Sequence, residues 1–147
     1  MTECPYRAGQ FVWCAFPQSE TPLHPGPEHV AYVMAVSGHP TGFTSRVAYT
    51  SSQPWVGAVP PGVRIFNLAQ AIEMGQDKPF VLQQRRVAHL PVTPQWFPRL
   101  AHDGQGILGA APEALQKALL REAVDFFRRR SELVEHLGPR RPGERQS

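Results

Sequence analysis

The stretch HVAYVMAVSGHPTGFTSRVAYTSSQPW, His29 to Trp55, decides the fold. His29 to Ser37 is nearly continuously apolar and rich in β-branched and aromatic residues, as in a central strand covered on both faces. Gly38 to Gly42 supplies a turn, and FTSRVAYTS runs back along the first strand as a hairpin. The second strand ends in small polar residues, Thr50, Ser51, Ser52 and Gln53, then Pro54 and Trp55. Hydroxyls at the mouth of a strand beside an aromatic make either a polar turn or a place to hold a ligand.

Outward from the hairpin, other segments carry the same punctuation. GQFVWCAF, Gly9 to Phe16, places Phe11, Trp13 and Ala15 on one face and Val12, Cys14 and Phe16 on the other, so it reads as a buried first strand with Trp13 in the core. Residues 1–8 form a loose lead-in, and Pro17 to His29 holds four prolines and a glycine, a long loop. Val63 to Leu68 is a short strand, and Ala69 to Met74 a helical turn stopped by Gly75. FVLQQRRVAHLP, Phe80 to Pro91, is a strand whose polar middle, Gln83 to Arg86, marks a bulge or an edge facing solvent or ligand. Trp96 and Phe97 dock onto the sheet. From Pro112 the period changes to helical, with Leu115, Leu119, Ala123, Phe127, Val134 and Leu137 on one face and Gly138 as the stop. The spacing predicts one helix over about residues 112–137, and PRRPGERQS, residues 139–147, reads as a disordered basic tail.

Composition sets the outer limits. A chain of 147 residues is one domain by length, here residues 1–138. Sixteen prolines and twelve glycines suit short strands joined by turns better than a helical bundle. The net charge of +3 and pI near 9.2 permit a nucleic-acid partner without demanding one. Cys4 and Cys14 show neither metal-ligand spacing nor a disulfide framework, so a reducing, cytoplasmic setting is the default. No secretory signal opens the chain, and no apolar run reaches the about 18 residues that would cross a membrane. The expected fold class is therefore mainly β with a long C-terminal α-helix: five or six short strands bent into a small barrel to protect their edges, the helix covering one opening or one face.

Order and spacing of these segments resemble the PemK/MazF family of toxin endoribonucleases. The resemblance rests on GQFVWCAFP as first strand, HVAYVMAV as second, VAYTSSQ closing the third, and FVLQQRRVAHLP before the helix, and covers roughly Gly9 to Pro98. It implies a small SH3-like barrel, a homodimer, an antitoxin-like protein partner, and metal-independent cleavage of single-stranded RNA, with no cofactor. The family's Thr-Ser pair is kept as Thr50 and Ser51. Two positions depart. The Arg that opens the family's second strand is His29 here, followed by Val30 in place of Pro, and the acidic residue of the later active-site strand has no match, because Gln83 and Gln84 stand there.

RNA cleavage without a metal needs a base for the 2′-hydroxyl, a cation or donor for the phosphorane, and an acid for the leaving 5′-oxygen. His29 is the group that titrates near neutrality. Thr50 and Ser51 supply hydroxyls, and Arg85 supplies bidentate phosphate donors. These four are the candidate catalytic residues. Arg46, Gln53, Trp55 and Arg86 are the candidate RNA-binding residues, with Trp55 as a stacking platform. Plainer readings stand beside each: a capped loop histidine, an ordinary polar turn, edge-strand gatekeepers at Arg85 and Arg86, a core tryptophan, and a solvated helix face for Arg128 to Arg130. His24, His39, His89 and His102 lack ligand spacing, so no metal site is expected. The alternative function is a catalytically inactive barrel of the same fold that binds nucleic acid or a partner protein.

Overall fold

The structure, a computed structural model, describes residues 3–140. One sheet holds seven strands: β1 (Gln10–Cys14), β2 (His29–His39), β3 (Gly42–Ser51), β4 (Val63–Phe66), β5 (Phe80–Pro91), β6 (Ile107–Ala110) and β7 (Glu135–Leu137). Two α-helices join them, α1 (Leu68–Glu73) and α2 (Glu113–Arg130). The strand order is β4-β5-β3-β2-β1-β6, antiparallel throughout, with β7 added in parallel to β5. The mainly β class with one long C-terminal helix is thus what forms.

The β2–β3 hairpin is the spine. It pairs from Ala31↔Tyr49 down to His39↔Gly42, so only Pro40 and Thr41 make the turn, tighter than the five residues the sequence suggests. Alternation along the two strands sorts the core into two layers. Val30, Tyr32 and Ala48 face α1 and α2, packing with Phe11, Phe80, Leu119 and Phe126. Ala31, Val33, Val47 and Tyr49 face the opposite way, with Val12, Phe16, Trp96 and Phe97. Trp96 and Phe97 dock as expected.

Four expectations are corrected. The sheet does not close into a barrel by strand pairing, since β4 and β6 end the path and do not pair with each other. The turn that ends α1 closes onto β6 instead: the backbone of Met74 and Gly75 lies against Leu108 and Gly109. Second, the long helix stops at Arg130, not near residue 137. A short 3₁₀ turn, Ser131–Leu133, turns the chain into β7. Val134 and Leu137 fit the helical period, but they are buried from an extended segment, where β7 takes up hydrogen-bonding positions of β5 that β4 leaves open. Third, the lead-in is not loose at Tyr6. Its ring is buried beside Phe97 at 5.0 Å and its hydroxyl donates to the Gln105 carbonyl. Fourth, Arg140 N donates to the His89 carbonyl, so the expected tail is held at its start; the rest of it, residues 141–147, lies outside the described residues.

Helix α1 begins at a reciprocal cap. The Asn67 side chain accepts from Gln70 N at 2.9 Å, and the Gln70 side chain accepts from Asn67 N at 2.8 Å. A six-residue helix has little stability of its own. Asn67→Ala is therefore expected to lower stability by about 1 kcal/mol, read as a shifted urea midpoint at unchanged slope.

Candidate active site

The polar middle of β5 is a bulge, and it builds the site. Pairing with β3 runs to Ala48↔Val87 and then jumps to Tyr49↔Gln83, leaving Gln84, Arg85 and Arg86 out of that ladder. The outer partner of β5 changes at the same place, from β4 (through Gln83) to β7 (from Arg86). The three displaced side chains part company. Gln84 turns inward and donates to the Leu119 carbonyl of α2 at 3.2 Å. Arg85 lies over the Trp55 ring, 5.4 Å from its centroid. Arg86 lies over the Tyr49 ring at 4.4 Å.

Tyr49 also carries His29. The two rings stack at 4.9 Å and 16°. Parity explains the meeting: His29 shares a face with Ala31, and Ala31 pairs with Tyr49, so imidazole and phenol stand side by side on one surface. His29 and Arg86 thus both contact the Tyr49 ring, with Phe16 packed at its side. Half-burial holds the His29 imidazole below its ordinary pKa. A hydrogen bond with the Thr50 backbone acts in the opposite sense, and the Arg86 charge pushes it down again. The neutral ring, a base, is the form present at pH 7.

An acidic residue completes the group from an unexpected element. Glu135 of β7 pairs in register with Arg86 and sits 3.7 Å from its Nε. Ser19, from the proline-rich loop, donates to the Glu135 carboxylate and accepts from Arg86 Nη2 at 3.4 Å. Arg86 is therefore held from one side while its ring-facing side meets Tyr49.

The remaining candidates are placed as follows. Thr50 has the opposite parity from His29. It is buried and its hydroxyl donates to the Val30 carbonyl at 2.6 Å, while the residue lines the same cleft as His29. Ser51 Oγ accepts from Gln53 N at 3.1 Å and shapes the turn. Gln53 is exposed, and Trp55 is half-buried with its indole donating to the Ala58 carbonyl. Arg85 does not join His29; Arg86 takes that place. Arg46 is remote from this group, in a separate cavity under α2. Trp13 is not fully buried either: its ring is half-exposed beneath Arg99, which grips Glu28 through two hydrogen bonds of 2.9 Å.

Two clefts open beside the His29–Tyr49–Arg86 group. One, of about 440 Å³, is lined by His29, Thr50, Ser52, Glu28, Asp77 and Lys78. The other, of about 540 Å³, is lined by Arg85, Arg86, Arg130, Gln83 and Glu135. His29 thus lines the first cleft, with two carboxylates and one ammonium, and Arg86 lines the second, with Arg85 and Arg130. Among the described residues no three His, Cys, Asp or Glu side chains come together as metal ligands, and Cys4 and Cys14 are free. No helix among the described residues is long and apolar enough to cross a membrane. Neither a family model nor a curated protein matches the chain.

Proposed function

We propose that this chain is a PemK/MazF-like endoribonuclease that cleaves single-stranded RNA without a metal ion, in the cytoplasm. The observation that carries the reading is that His29 and Arg86 both contact the Tyr49 ring, at 4.9 and 4.4 Å. Neutral His29 takes the proton of the 2′-hydroxyl. The 2′-oxygen attacks the adjacent phosphorus, and the Arg86 guanidinium stabilises the phosphorane. The bond to the 5′-oxygen breaks, and that oxygen takes a proton from water in the open cleft. The products are a 2′,3′-cyclic phosphate and a 5′-hydroxyl. Glu135 and Ser19 position Arg86, and Trp55 offers a face for a splayed base. The family resemblance adds a homodimer and an antitoxin-like partner to the same reading.

A binding module is the second reading. It is favoured by the Thr50 hydroxyl being already committed to Val30 and by Arg85 being turned away to Trp55. A mixed-sequence single-stranded RNA incubated with the protein in EDTA separates the two. Nuclease action gives fragments ending in 2′,3′-cyclic phosphate, and a 2′-deoxy substitution at a cut position abolishes that cut. Retention of RNA with no cuts sinks the nuclease and leaves the module.

Arg86→Lys keeps the charge but loses the planar fork, so cleavage is expected to fall about tenfold or more while RNA retention changes little. Equal cleavage by the two proteins would remove Arg86 from the mechanism.

A further inference from the structure

A third cavity, of about 320 Å³, lies between the sheet and α2. Its walls are mostly apolar, from Tyr32, Met34, Leu120 and Ala123, and Arg46 of β3 lines it. Its size is at the lower end of the about 300–1,000 Å³ typical of small-molecule sites. None of His29, Tyr49 and Arg86 lines it, so it is independent of the proposed nuclease centre.

Arg46 is the unusual wall residue. It is half-buried, and its Nε is shut off from solvent without a hydrogen-bond partner. Among the described residues it forms no ion pair; its one charge-related contact is with the Phe127 ring, at 5.5 Å. A guanidinium withdrawn from water calls for a compensating anion. Glu113, which also lines the cavity, is taken by Lys117 at 3.2 Å and is highly exposed. The other polar side chains of the wall are spent on the backbone. Gln84 donates to Leu119 O and Gln116 donates to Ala111 O. Burial pushes the Tyr32 phenol up to about 12, so at neutral pH it remains a donor.

We propose that this cavity binds a small apolar molecule carrying one carboxylate, its hydrocarbon against Met34, Leu120 and Ala123 and its carboxylate on Arg46. The apolar walls set the tail, and the single unpaired cation sets the head.

Calorimetric titration of the full chain with octanoate and, separately, with 1-octanol tests this. Octanoate is expected to bind with a Kd of about 1 mM or tighter, and octanol about tenfold or more weakly. Arg46→Gln should bring octanoate down to the octanol level. Leu120→Trp, at a position 57% exposed and therefore tolerant of size, should block both. In ¹H–¹⁵N spectra of the wild type, octanoate should shift Arg46 Nε–H together with the Tyr32 and Leu120 amides. No octanoate binding, equal binding of octanoate and octanol, unchanged binding by folded Arg46→Gln, or shifts clustered elsewhere would each overturn the proposal.

Discussion

His29→Ala is expected to lower metal-free RNA cleavage by about 10²–10⁴-fold, the range contributed by a positioned general base, while leaving RNA retention close to that of the wild type. The reason is geometric. The imidazole does not fill a core gap; it stands half-buried at the start of β2, stacked on the Tyr49 ring that Arg86 also contacts. Its removal takes away the proton acceptor and leaves the arginine-lined cleft intact. Gel analysis of fragments beside filter retention of uncut RNA reads the two effects separately. A loss of retention equal to the loss of cleavage would make His29 a binding residue only.

The largest stability effect is expected at Gly75. Its φ is +82°, and a Cβ there would stand 2.0 Å from the Leu108 carbonyl oxygen, a backbone atom that cannot swing aside. Gly75→Ala is expected to cost about 3 kcal/mol, combining left-handed strain with displacement of α1 from β6. Gly57 supplies the comparison. It has φ of +90°, and a Cβ added there would meet nothing within 4 Å, so Gly57→Ala should cost only about 1 kcal/mol. Equal urea midpoints for the two variants would show that the α1–β6 contact does not hold the open side of the sheet together.

The pH dependence of stability has a definite sign at His29. The folded-state pKa lies below the ordinary 6.5, so the unfolded chain binds the proton more readily. The stabilising contribution of neutral His29 is complete above 6.5 and is lost as pH falls through that value and below it. Carboxylate protonation adds to the loss only at lower pH.

Local alternation makes much of the fold legible. Phe80 to Pro91 is the strand the residues suggest, with its bulge where the polar run stands, and the two faces of β1 and of the hairpin follow period two. What is not legible depends on contacts distant in sequence. Val134 and Leu137 satisfy a helical face, so nothing local announces that the chain leaves α2 at Arg130 and pairs with β5. The same ambiguity hides Glu135, the acid beside Arg86, inside an apparent helix. Strand β6, four residues containing a glycine, carries almost no β signal. The site is legible in part. His29 and an arginine of the polar run are visible, but the choice between Arg85 and Arg86 depends on how the bulge turns each side chain, and no spacing rule gives that. Tyr49 could have been found: in an antiparallel hairpin the residue opposite Ala31 shares the His29 face.

The most direct test of the central claim is the pH profile of kcat/KM for RNA cleavage in EDTA, measured beside the NMR titration of the His29 imidazole. The account predicts that activity rises with pH through an apparent pKa below 6.5, that the same value appears in the His29 ring resonances, and that the rate is level at neutral pH. A rate that falls as pH rises through this range, or that titrates at a value His29 does not share, would contradict it.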